Sequence, residues 1–321
     1  MNSPAIKTSI ILKGRPLLRA LYAFLVVAAA LWAMPRNARA NIYITQAATE
    51  GVPTGVVSEY NTFTGKLVNA QFITGLNSPD AIAFFHGRTV FGRLLIANSI
   101  GGTVGKYNAA TGEVIKANFI TGLSIPFGFA LDNIEQHLFV ANSVTGTVGE
   151  YDPTTGAVIN ANFITGLNAP GKVAFLGPAL PLSQSFLFVS NTAGGAVGKY
   201  DAKTGAAING GFITGLSRPT GLVVMAAPPG LADSLLFVAN LDDGTVGEYN
   251  ASTGTPLNKK FITGLNAPIA LALSDGILFV LNRGNTFNAS TVGEYNAATG
   301  EVIKANFITG LNQAQGIAVT Q

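Results

Sequence analysis

Cysteine is absent from the 321-residue chain, histidine occurs twice, tryptophan once, and charged side chains make up only 11% of it. Without thiols there is no disulfide framework, no thiolate zinc site and no cysteine nucleophile. Two histidines, His86 and His137, leave no multi-histidine metal centre. The charged fraction is less than half the usual quarter while 48% of residues are apolar, which argues against disorder and for a large core. The formal net charge of +3 leaves a nucleic acid or an anionic surface open as partner until the charges are located.

They are located at the N-terminus. Residues 1–40 hold Lys7, Lys13, Arg15, Arg19, Arg36 and Arg39 and no acid. Between them Ala20 to Met34 forms an apolar run closed by Pro35, shorter than the ~20 residues that span a bilayer. Ala38-Arg39-Ala40 supplies a small-x-small cleavage pattern. Residues 1–40 are therefore expected to be a cleaved signal peptide, the alternative being an uncleaved anchor. Removing them leaves 13 basic residues against 16 acidic ones, about −3, and takes away Trp32. The exported chain is expected to bind no nucleic acid and to keep no transmembrane segment.

The rest is an internal repeat. Residues Gly102 to Leu123 recur almost unaltered near the C-terminus, and Tyr107 has counterparts at Tyr60, Tyr151, Tyr200, Tyr249 and Tyr295. The spacing of 44 to 49 residues makes six repeats fill 41–321 as one domain. Each repeat reads as four short strands, a to d: Pro126–Leu131, Leu138–Asn142, Thr147–Tyr151 and Asn162–Thr165 in one copy. An Asn/Asp-x-x-Thr-Gly turn joins c to d, the short acceptor closing the turn and glycine supplying a positive φ. Four-stranded units of this length point to an all-β, six-bladed β-propeller with antiparallel blades. The chain ends on a strand a, Gln315–Thr320, and resumes after the leader with a strand b, Asn41–Gln46. One blade is thus expected to be completed by both ends, closing the ring.

Pro-x-Gly-(Ile/Leu)-Ala, Leu-Phe-Val-Ala-Asn and Gly-Thr-Val-Gly-(Glu/Lys)-Tyr together resemble the NHL-type six-bladed propellers over essentially all of 41–321. The resemblance implies that strand a lines a central channel and that the d–a and b–c loops share the ligand-binding top. Such families include binding scaffolds and RNA-binding domains, and neighbouring propeller families include lactonases and streptogramin lyases.

An amide ends strand b in every blade: Asn98, Asn142, Asn191, Asn240 and Asn282, with Gln46 in the shared blade. Such a ring could bind a ligand, but Asn also bonds the backbone of its own b–c turn readily. Two b–c loops are long, Arg283–Ser290 and Ala47–Thr54, with Arg283 and Glu50 as their charged groups. Asp242 and Asp243 stand in another b–c loop and Asp80 opens a strand a, so Glu50, Asp80, Asp242, Asp243 and Arg283 are the candidate ligand residues. On the opposite face the loops Leu176–Ser183 and Met225–Leu231 are apolar and proline-rich, suited to a partner, a membrane surface or folding over the channel.

No nucleophile elbow, zincin or phosphate loop is present, and both histidines fall on or beside a–b loops, away from the expected active face. The leading expectation is an exported, monomeric binding scaffold, periplasmic or secreted, for a protein, glycan or small molecule, without cofactor or metal. The alternatives are a metal-assisted hydrolase or lactonase, with Asp80 and the amides holding a divalent cation, and a structural envelope protein.

Overall fold

The computed structural model describes residues 40–48, 54–86, 92–178, 185–227, 233–286 and 289–320. Residues 1–39, which hold nearly all of the expected signal peptide 1–40, Glu50 and parts of the loops 47–54, 176–183, 225–231 and 283–290 lie outside them. The described residues form strands and no helix. The chain starts with β1 (Asn41–Gln46), β2 (Gly55–Asn61) and β3 (Leu67–Leu76). Blade 1 follows as β4 (Pro79–Phe85), β5 (Arg93–Asn98), β6 (Thr103–Asn108) and β7 (Val114–Ile120). Blade 2 is β8 (Pro126–Leu131), β9 (Leu138–Asn142), β10 (Thr147–Tyr151) and β11 (Val158–Ile164). Blade 3 is β12 (Pro170–Leu176), β13 (Phe186–Asn191), β14 (Ala196–Asp201) and β15 (Ala207–Ile213). Blade 4 is β16 (Pro219–Met225), β17 (Leu235–Asn240), β18 (Thr245–Asn250) and β19 (Pro256–Ile262). Blade 5 is β20 (Pro268–Ser274), β21 (Ile277–Asn282), β22 (Ser290–Asn296) and β23 (Val302–Leu311), and β24 (Ala314–Val319) completes blade 6.

Every blade is a four-stranded antiparallel sheet, and blade 6 has the order β24-β1-β2-β3. The first strands touch in a cycle, β4-β8-β12-β16-β20-β24 and back to β4, so the six-bladed ring is closed by strands from both ends. Strand b is buried along its length because it lies mid-blade with a neighbouring blade against each face. Its Phe139, Phe188, Phe237 and Phe279 are essentially inaccessible, and each packs on the strand-d phenylalanine of its own blade with ring centroids 5.2–6.1 Å apart.

The repeated residues have local explanations. In strand c the glycine two before the tyrosine makes room for that ring: a Cβ on Gly105 would lie 2.5 Å from the Tyr107 hydroxyl oxygen. Blade 6 has Ser58 there, whose hydroxyl donates to Ala70 O at 2.6 Å. In the c–d turn Asp152 Oδ1 accepts from the N–H groups of Thr154 and Thr155 at 2.6 and 2.9 Å, the expected side-chain closure. Strand d starts earlier than its burial pattern predicts, at Val158 rather than Asn162. Val158 pairs with Tyr151, but Val158 and Ile159 are about half exposed, so backbone pairing rather than burial sets that end.

The charged residue before the tyrosine of strand c is buried in every blade but blade 4, where Glu248 is half-buried, and its lysines act between blades. Lys106 Nζ donates to Pro153 O and Thr154 O of the next blade at 3.1 and 3.0 Å, and Lys199 Nζ repeats this with Ala251 O and Ser252 O. At Glu294 burial pushes the carboxyl up to about 7, with Lys304 opposite it on β23 opposing the shift. A raised carboxylate favours the protonated folded state. Its contribution is therefore full below the unfolded value near 4.5 and is lost as pH rises through about 7. Glu294→Gln is expected to stabilise the protein by about 1–2 kcal/mol at pH 8 and by nothing at pH 4. Thermal melts of both proteins at the two pH values check this.

Candidate functional site

The top of the ring is built by the linkers that deliver each strand a. The last linker residue has left-handed backbone in all six blades: Ser78, Ile125, Ala169, Arg218, Ala267 and Gln313, with φ of 42–54°. None is glycine and Ile125 is β-branched, so each position costs roughly 1–3 kcal/mol unless its surroundings hold it. Two sets of hydrogen bonds do so. The linker carbonyl accepts from the residue after the strand-b amide, as in Ser99 N to Ser78 O (2.9 Å) and Arg283 N to Ala267 O (2.9 Å). The amide oxygen accepts from a linker N–H: Asn98 from Asn77, Asn142 from Ser124, Asn191 from Asn168 and Gln46 from Asn312, at 2.7–3.2 Å.

The amide oxygens therefore tie blade to linker, where the sequence predicts bonds to the backbone of the b–c turn. Across that turn Nδ2 of Asn98, Asn240 and Asn282 donates to the side-chain hydroxyls of Thr103, Thr245 and Thr291 at 3.3–3.5 Å. The repeat breaks in blades 4 and 5, where the side-chain oxygens of Asn240 and Asn282 are buried without a hydrogen-bond partner. The cavity at the channel mouth lies immediately past these two residues. It measures about 120 Å³ and is walled by Phe127, Leu241 and Ile269, with Thr192, Gln315, Arg218 and Arg283 among its polar lining. None of the six amides lines it. Its walls come mainly from blades 2–5, so its centre is shifted from the blades 4–6 and 1 that the loop lengths suggested.

Of the candidate ligand residues, the structure brings one to this cavity. Arg283, half-buried just after β21, lines it and has no ion pair among the described residues. Asp242 instead pairs with Arg218 at 3.1 Å on the rim, both well exposed. Asp243 is exposed beside it. Glu50 lies outside the described residues. Asp80 is buried on β4 and lines neither channel cavity. Burial raises the Asp80 carboxyl pKa, opposed by the Lys172 charge and a hydrogen bond with Ser99.

Lys172 is the group that sequence reasoning missed. It stands where other blades have the small residue of Pro-x-Gly, in the motif Pro170-Gly171-Lys172. Its side chain enters the channel, lining a second cavity of about 80 Å³ with Phe129, Leu222 and Ile317. Nζ donates to Phe127 O at 2.7 Å and sits 4.7 Å from the Phe127 ring centroid. Burial pushes the ammonium down to about 8, opposed by Asp80. Phe127 was passed over too, as the variable residue of the same motif in blade 2. The departure from glycine at position 172 was the available signal.

Among the described residues no three His, Cys, Asp or Glu side chains converge as metal ligands. The site offered for a divalent cation does not fit one, because the charge facing Asp80 is the Lys172 ammonium. His137 pairs with Asp132 (2.8 Å) and His86 with Glu135 (3.1 Å), on the a–b side of the ring.

No protein-family model and no curated protein matches the chain. Among solved structures, a chain in the crystal structure of the nidogen/laminin complex superposes with a TM-score of 0.64 at 14% identity, covering 88% of this chain and 98% of that one. A chain of hydrazine synthase from Kuenenia stuttgartiensis matches with a TM-score of 0.47 at 18% identity, covering 62% and 53%. The first likeness bears on the fold alone, and with the strand order above it makes this chain an all-β, six-bladed propeller.

Proposed function

We propose that the protein is an exported propeller of the NHL type that works as a binding scaffold, with the channel mouth as its recognition surface. The observation that carries this is one cavity lined by two arginines and an apolar wall, on a ring whose linkers are pinned by repeated hydrogen bonds. Rigid presentation suits recognition, because a mouth held in one geometry loses little freedom on binding. The ligand is a small molecule or a segment of a protein or glycan. Nothing at Asp80 supports the metal-assisted hydrolase, since its electrostatic partner is a cation. Export rests on the leader and predicts a mature N-terminus at Asn41, which N-terminal sequencing of the protein recovered outside the cytoplasm checks. No helix among the described residues is long and apolar enough to cross a membrane.

The test is a thermal-shift screen of chemically mixed small molecules on the wild type and on Gln315→Trp. That substitution places a large ring in the mouth from β24. Ligands are expected to raise the wild-type Tm and to lose that effect in the variant, because only native-state binding stabilises. Hits that shift both proteins equally would remove the mouth as the binding surface.

A further inference from the structure

We propose that the channel mouth is a site for a carboxylate monoanion. It takes a small organic acid or the carboxylate end of a chain, with the charge on Arg283 and the adjoining carbons against Phe127, Leu241 and Ile269. This deepens the binding reading and rests on it. Three cations line the two channel cavities: Arg218 and Arg283 above and Lys172 below. Two carboxylates offset them, Asp242 on Arg218 and Asp80 facing Lys172, while Asp243 stays in solvent. Among the described residues the balance leaves one positive charge, and of the two arginines at the mouth the one without an ion pair is Arg283. A planar guanidinium meets a carboxylate through two parallel N–H···O bonds, a geometry an ammonium cannot offer.

The other contacts narrow the ligand further. The Thr220 hydroxyl already donates to Pro268 O (3.0 Å) and the Thr192 hydroxyl to Pro219 O (3.1 Å). Lys172 is held on Phe127 O, below the mouth. The charged donors for an anion are therefore Arg283 and the exposed Arg218, with Ser143 and Gln315 as neutral polar groups beside them, and the rest of the wall is mostly apolar. A volume of about 120 Å³ is well under the roughly 300–1,000 Å³ of a drug-sized pocket, so only a short acid or a chain end enters. A dianion would carry one negative charge more than the single unpaired arginine offsets, with Asp242 already on the rim.

The experiment is calorimetric titration of the protein with sodium butyrate, its neutral isostere butyramide, n-butylamine, and the dipeptide Ala-Leu with a free or an amidated C-terminus. Butyrate is expected to bind, butyramide at least tenfold more weakly, and n-butylamine not at all. Arg283→Ala is expected to weaken butyrate at least tenfold. Lys203→Ala, an exposed cation on the c–d turn of blade 3, is expected to leave affinity unchanged and so controls for net charge. Tighter binding of the free-acid dipeptide than of butyrate would identify a chain end as the source, and the reverse a free acid; both sustain the inference. Equal binding of butyrate and butyramide, or full affinity in Arg283→Ala, would overturn it. A neutral or cationic ligand captured at the mouth, with every carboxylate failing, would sink the carboxylate assignment while leaving the scaffold reading in place.

Discussion

A chain shortened by residues 314–321 is expected not to fold. They include β24 (Ala314–Val319), the channel strand of blade 6, which pairs with β1 and packs between β20 and β4. Without it the inner cycle of first strands is broken at blade 6, leaving only the packing of β1 and β2 on blades 5 and 1, and β1 presents an unpaired inner edge to the channel. Ala314, Ile317 and Ala318 are buried in the native ring, and Thr320 exchanges hydrogen bonds with the backbone of Asn41 at 2.8–3.4 Å. One buried isoleucine is worth about 2 kcal/mol and each ladder hydrogen bond about 1 kcal/mol net. Five or more paired residues are lost, so the deficit exceeds about 5 kcal/mol, against a total stability of roughly 5–15 kcal/mol. Circular dichroism and gel filtration are expected to show an expanded or aggregated chain. A soluble truncated protein with a cooperative melt near the wild-type Tm would show that ring closure contributes little.

The second large effect is expected at Gly205, the turn glycine of blade 3. Its φ is +72°, and a Cβ there would lie 1.9 Å from the carbonyl oxygen of Phe163 in blade 2. Gly112 and Gly156 meet the strand-d phenylalanine carbonyls of their own preceding blades in the same way, at 2.0 and 2.4 Å. The glycine thus serves two ends: it turns the hairpin and lets one blade's turn dock on the backbone of the next. Gly205→Ala is expected to cost about 3–5 kcal/mol, the sum of left-handed strain and a backbone clash no rotamer relieves. Gly215 separates the two terms. It has φ of +71° with nothing within 4 Å of a Cβ, so Gly215→Ala is expected to cost only about 1–2 kcal/mol. Denaturant melts of both variants measure the difference. Equal destabilisation would mean that the inter-blade contact carries no weight.

These glycines show how far the sequence could be read. The Asn/Asp-x-x-Thr-Gly spacing names the turn, because a side-chain acceptor and a positive φ are local requirements. The neighbour's carbonyl is invisible in the spacing, because Phe163 reaches Gly205 only through the ring. The strand-b amides are similar. Asparagine at a strand end is legible as a local hydrogen-bond former, but its acceptor role for the linker N–H joins residues 18 to 23 apart within a blade, and 266 apart for Gln46. Arg283 was legible at the site because it opens a loop of unusual length. Lys172 and Phe127 were not, because they sit inside a repeated strand and only the closed channel shows which side chains face its axis.

Composition and repeat length by themselves determined the number of blades, the strands within each and the blade shared by both ends. Those features follow from short-range rules: alternation, turn chemistry and a period of 44 to 49 residues. Where the cavity lies, which of its arginines is without an ion pair among the described residues and which amide oxygens lack a partner were decided only by the tertiary structure. Each depends on side chains from at least two blades converging on one axis, and that convergence exists only once the ring has closed.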